Sequence, residues 1–122
     1  MRQFQKISDS EMEVMRVIWA SGGPMTSAQI QSALGTEKGW KATTLLTFLA
    51  RLCEKGLLAA QKDGKANVYH PLVTEKEYKR AETRTFLNEV HQGSLKSFIA
   101  ALADEELSRE ELAELKEWFE QK

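Results

Sequence analysis

Arg51 and the threonines Thr43, Thr44 and Thr47 fall in one short stretch, where their types and spacing could do hydrogen-bonding chemistry. At about 100° per residue, Thr43, Thr47, Ala50, Arg51 and Glu54 gather on one side of a helix. Leu45, Phe48, Leu49 and Leu52 gather on the other, flanked by Leu46 and Cys53, with Lys41 and Thr44 toward the N-terminal end. Hydroxyls and a guanidinium on a slim polar face suit phosphate oxygens and base edges in a DNA major groove. Threonines in the first turns also place small donors at the positive end of a helix, where a phosphate is favoured. Lys62 and Lys65 add two ammonium groups shortly afterwards. In isolation such a helix reads as a solvated amphipathic helix, so the assignment depends on its neighbours.

Other chemistry is poorly represented. His70 and His91 stand apart, outside any spacing typical of zinc, and no glycine-rich phosphate loop or nucleophile elbow occurs. Cys53 is the single cysteine, which rules out a disulfide within the chain and reads as a small buried hydrophobe. Carboxylates such as Asp104-Glu105-Glu106 read as helix starts that complement dipoles, not as acid–base pairs. Trp40 reads as a corner anchor. The expectation is a chain that is not an enzyme and needs no metal or cofactor.

The elements that must position the polar face are well punctuated. Capping boxes pair Ser8 with Glu11, Thr26 with Gln29, Thr74 with Glu77 and Ser108 with Glu111. A first helix runs from about Asp9 to Ala20 and stops at Gly22-Gly23-Pro24, and a second runs from about Ser27 to Leu34. A third follows the Gly35–Trp40 turn and runs to Lys55, with Gly56 as its terminator. Then Leu57–Lys62 and Lys65–Leu72 flank Asp63-Gly64, a dipeptide suited to a two-residue hairpin turn. Three short helices and a hairpin with a basic tip make a winged helix-turn-helix. The fold class expected is mainly α, with a two-stranded β wing and a helical dimerisation region after it.

Charge supports that division. The net charge of −1 over 122 residues conceals a basic half and an acidic half. Residues 1–72 carry nine Lys/Arg and six Asp/Glu, and residues 73–122 carry eight and twelve. The basic end can hold a phosphate backbone while the acidic end does something else. At 42% hydrophobic and 29% charged, the composition is that of a globular protein. With no apolar run of about 18 residues and no apolar N-terminal stretch, neither membrane insertion nor secretion is expected, and the compartment expected is the cytoplasm.

The domains expected are 1–72, for DNA binding, and 73–122. The second begins with a helix from about Glu75 to Val90, whose Lys76, Lys79, Arg80 and Arg84 read as solvated surface. Ser94 then caps a helix carrying Leu95, Phe98, Ile99 and Leu102, and a last helix from Arg109 carries Leu112, Leu115, Trp118 and Phe119. About 50 residues form too small a core to bury both stripes, so a second chain is the expected cover. A homodimer would read a palindromic operator in double-stranded DNA with two-fold symmetry.

Ile7-Ser8, Glu13-Val14-Met15, Ile18-Trp19, Gly39-Trp40, Thr43-Thr44, Thr47, Arg51-Leu52 and Glu54-Lys55-Gly56-Leu57 occur in an order and spacing that resemble the BlaI/MecI/CopY group of repressors. Tyr69 and Leu107-Ser108 with Glu110-Glu111-Leu112 extend the resemblance over nearly the whole chain. The resemblance implies a homodimeric winged-helix repressor of a resistance or stress operon. Members that govern β-lactam resistance are released when a membrane sensor-protease triggers a cut at an Asn-Phe bond. The matching bond here is Ala100–Ala101, a departure at the cut itself. The Cys-x-Cys cluster of copper-responsive members has no counterpart in Trp118-Phe119-Glu120-Gln121-Lys122. Leu46 stands where some relatives would carry a basic residue. Two other readings share these elements: a winged helix that docks on protein, and a ligand-sensing regulator without proteolytic release.

Overall fold

The computed structural model describes residues 4–35, 38–104 and 107–121. Its elements run α1 (Asp9–Ser21), β1 (Met25–Thr26), α2 (Ser27–Leu34), α3 (Ala42–Glu54), β2 (Leu58–Asp63), β3 (Ala66–Pro71), α4 (Glu75–His91), α5 (Leu95–Asp104) and α6 (Arg109–Glu120). The helix starts follow from local side-chain chemistry. Ser8, Thr26, Thr74 and Ser108 each accept the N–H three residues on, while Glu11, Gln29, Glu77 and Glu111 reach back to the cap's own N–H. Each box satisfies two amides that a first turn leaves unpaired. α1 stops at Gly22, whose φ of 75° only a glycine adopts without strain.

Three details differ from the sequence expectation. The sheet has three antiparallel strands in the order β1-β3-β2, because Met25 and Thr26 pair with Tyr69 and Val68. The extended backbone that lets Thr26 cap α2 also lays it beside β3. The hairpin loop is Gly64-Lys65 instead of Asp63-Gly64, since Asp63 pairs with Ala66. Glycine comes first in the loop with φ of 66°, so Asp63 avoids the positive φ that an Asp-Gly turn would impose on it. Asp104, expected at a helix start, is the last residue of α5, where its charge opposes the dipole. Glu105, Glu106, and Thr36 and Glu37 of the Gly35–Trp40 turn lie outside the described residues.

The chain divides into two compact units, residues 1–82 and 83–122. In the first, Val14, Met15 and Ile18 of α1 form one core with Ile30 of α2, Leu45, Leu49 and Leu52 of α3, and Leu58 and Tyr69 of the sheet. The first turns of α4 belong to this unit: Tyr78 is buried in its core, with the Trp19 ring 5.8 Å and the Phe4 ring 5.7 Å away. Burial, with the charges of Glu82 and Glu11, pushes the Tyr78 phenol up to about 12. Trp19 Nε1 donates to the Val73 carbonyl at 2.9 Å, tying α1 to the segment that leads into α4.

Among the described residues, one charge lies inside. Glu11 is 2% exposed. Lys55 Nζ donates to its Oε1 and Oε2 at 2.9 and 3.1 Å, and to the Lys6 carbonyl at 2.9 Å. Burial pushes the Glu11 carboxyl up, but the Ser8 N–H and the Lys55 ammonium outweigh burial and hold it below its ordinary value. This pair staples the start of α1 to the residue that follows α3.

In the second unit α5 and α6 bury no residue. Phe86, His91 and Phe98 meet edge to face with centroids 5.5 to 6.3 Å apart, and His91 Nδ1 lies 2.9 Å from Ser97 Oγ. Among the described residues no helix is long and apolar enough to cross a membrane.

Lys55→Ala leaves the Glu11 carboxylate buried without its cation, and is expected to cost about 3–5 kcal/mol in chemical denaturation at neutral pH. Because the Glu11 carboxyl is depressed in the fold, its contribution is complete above its ordinary value of 4.5 and is lost as pH falls below it. The stability gap between the native chain and Glu11→Gln therefore closes as pH drops through that region.

Candidate DNA-binding surface

α3 is held by one face. Leu45, Leu49 and Leu52 are buried, Thr44, Phe48 and Cys53 are half-buried, and Thr43, Leu46, Thr47, Ala50, Arg51 and Glu54 are exposed. Three leucines at one-turn spacing, each contributing about 1.5–3 kcal/mol on burial, fix the rotation of the helix about its axis. The outward face follows from that rotation. Burial also raises the Cys53 thiol, against a backbone hydrogen bond at Ala60, so this cysteine stays a protonated, apolar filler.

The corner before α3 is set by Trp40. Its ring stands edge-on to Phe48 with centroids 5.0 Å apart, and its carbonyl accepts from Gln31 Nε2 of α2 at 3.2 Å. Lys41, the exposed N-cap residue of α3, makes no side-chain capping bond, so no side chain of its own covers the amides of the first turn. On the wing, Lys62 of β2 stands opposite Asn67 and Lys65 lies in the loop, both exposed. Among the described residues, no carboxylate pairs with Lys41, Arg51, Lys62 or Lys65. The cations of α4 are exposed as well, Lys79 within 3.7 Å of Glu75.

Two of the expected contacts change character. Thr44 is half-buried at the flank of the face. Thr47 Oγ1 donates to the Thr43 carbonyl at 3.1 Å, so its hydrogen is returned to its own helix. Leu46, placed by the sequence beside the apolar side, is 46% exposed and belongs to the outward face with Thr47 and Ala50. Its angular position next to Ala50 on the helical wheel is the signal that could have shown this.

A helix with a slim outward face, set by a corner after a short helix and followed at once by a cationic hairpin, defines a winged-helix DNA-binding protein. The family model described as Penicillinase repressor matches residues 7–121. The chain is 36% identical over 122 residues to the penicillinase repressor of Bacillus licheniformis, covering 99% of this chain and 94% of that one. It is 32% identical over 112 residues to the methicillin resistance regulatory protein MecI of Staphylococcus aureus strain N315, covering 91% of this chain and 90% of that one. Among solved structures, the DNA-binding domain of the repressor BlaI superposes with a TM-score of 0.55 at 36% identity, covering 64% of this chain and 94% of that domain. The Bacillus licheniformis BlaI monomer in complex with the blaP half-operator superposes with a TM-score of 0.54, at the same identity and coverage. The chain belongs to the penicillinase repressor family of transcriptional regulators.

Arg51→Ala is expected to weaken binding to a specific DNA site by about 1–3 kcal/mol, and Lys65→Ala to reduce the salt slope of binding by about 1. Titration of a labelled duplex at several salt concentrations separates the two. Affinity unchanged in Arg51→Ala would take that residue off the contact surface.

Proposed function

We propose that this chain is a homodimeric transcriptional repressor that occupies a palindromic operator of a resistance or stress operon, of the β-lactam-response kind. The observation that carries the reading is the outward face of α3, with the wing cations Lys62 and Lys65 following it on the hairpin. Thr43, Thr44 and Arg51 supply base and phosphate contacts, Thr47 meets the base edges with its methyl group and hydroxyl oxygen because its hydrogen is held by the Thr43 carbonyl, and Lys41, Lys62 and Lys65 supply phosphate contacts. The protein acts in the cytoplasm and by occupancy, not by catalysis. Operator binding by BlaI of Bacillus licheniformis supports the same role for the matching unit here.

Dimerisation falls to the part of residues 73–122 that lies beyond the first unit. Leu95, Ile99, Leu102, Leu112, Leu115, Trp118 and Phe119 are all exposed and Phe98 half-buried, a density of apolar side chains that a lone chain in water does not favour. Leu95, Phe98, Ile99 and Leu102 recur at helical spacing on α5, and Leu112, Leu115, Trp118 and Phe119 on α6. A second copy presenting the same stripes covers them by two-fold symmetry. Ala100 and Ala101 are exposed inside α5. A cut between them, set off by a membrane sensor-protease, would sever Leu102 and α6 from the rest of the stripe and undo the dimer.

Nuclease footprinting on the promoter of its own gene, with sedimentation of the same sample, tests this reading. A two-fold symmetric protected site from a dimer is expected; a folded dimer that protects nothing would instead favour a protein-docking winged helix. The double substitution Leu115→Ala with Trp118→Ala is expected to shift sedimentation toward monomer. It should weaken full-site binding far more than half-site binding. A dimer that survives the double substitution would move the interface elsewhere.

A further inference from the structure

The middle of the α3 outward face is apolar. Leu46 is 46% exposed there, Ala50 lies one turn on, and the hydroxyl of Thr47 between them donates to the Thr43 carbonyl at 3.1 Å. With that hydrogen committed to the backbone, neither Leu46, Thr47 nor Ala50 offers a free donor hydrogen to a base edge. Lys41 lies before this patch and Arg51 after it on the same helix, both exposed and with no carboxylate partner among the described residues. An apolar patch bracketed by cations suits a polyanion that presents an apolar group, and the major groove presents one, the 5-methyl of thymine. Cytosine and the purines put only polar atoms and ring edges in that place.

We propose that Leu46, with Ala50 beside it, is a specificity-determining residue that packs on the 5-methyl group of a thymine in each half-site. The proposal rests on the DNA-binding reading above. It gives the exposed leucine a use that a hydrogen-bonding account of the face leaves open. It also makes the centre of each half-site select for thymine by apolar contact, while the ends of the face grip by charge.

The probe is a duplex that the 122-residue chain selects from a random-sequence pool. Each thymine is then replaced in turn by deoxyuridine, which removes the methyl group and keeps the base pair and the O4 acceptor. At one position in each half-site, the replacement is expected to weaken binding by the native chain about four- to tenfold. Leu46→Ala, a change at a surface position, is expected to bind the unmodified duplex more weakly by a similar factor and to be indifferent to deoxyuridine there. Indifference of the native chain at every position, or an equal deoxyuridine loss in Leu46→Ala, overturns the proposal and leaves the repressor reading standing. Failure to enrich any duplex overturns the DNA-binding reading and this inference with it.

Discussion

Everything on the DNA-facing side depends on the burial of Leu45, Leu49 and Leu52 in one core with Val14, Met15, Ile18 and Ile30. A helix buried along a single stripe has no freedom to roll, because turning it would expose leucine and bury threonine or arginine, each at a cost of kilocalories. The stripe therefore decides which residues meet a ligand, although none of its members touches one. The supports around it are of different kinds. Trp40 against Phe48 sets the corner where α3 begins, and Lys55 on Glu11 pins its far end to the start of α1. Both act at the ends of the helix, where a tilt of its axis would displace the polar face most.

Legibility in the sequence followed the range of the interactions. Helix starts were readable because a capping box is closed by residues three apart, and Ser8, Thr26, Thr74 and Ser108 all form the bonds their spacing implies. The winged-helix order was readable because each element carries its own period and its own stop. The hairpin register was readable only to within one residue, since Asp63-Gly64 and Gly64-Lys65 are both plausible loops and the choice turns on one backbone angle. β1 left no trace, because two residues are too few to show a period, and Thr26 was already explained as a cap.

On the candidate surface the sequence named residue types but could not say what each side chain was free to do. A threonine one turn into a helix can offer its hydrogen outward or return it to the carbonyl four residues back, and Thr47 returns it. A leucine at the edge of an apolar arc can face in or out, and Leu46 faces out because Leu45, Leu49 and Leu52 already occupy the buried arc. Both outcomes depend on the rotation fixed by the core, which is a property of the packed unit and not of the local pattern.

The second unit obeys the opposite logic. In residues 1–82 apolar stripes find partners within the chain, whereas α5 and α6 carry stripes as regular as that of α3 and bury nothing. Leucine, tryptophan and phenylalanine at such spacing cost solubility and aggregation resistance if left in water, so their persistence on two successive helices calls for a partner surface of equal extent. Acidic residues beside those stripes repel a polyanion, and in the proposed homodimer an identical chain brings the same apolar area and can orient its carboxylates away by symmetry. The division of charge along the chain thus does two things at once. It directs the basic unit to phosphate and, in the proposed homodimer, leaves the acidic unit free to hold two such basic units together.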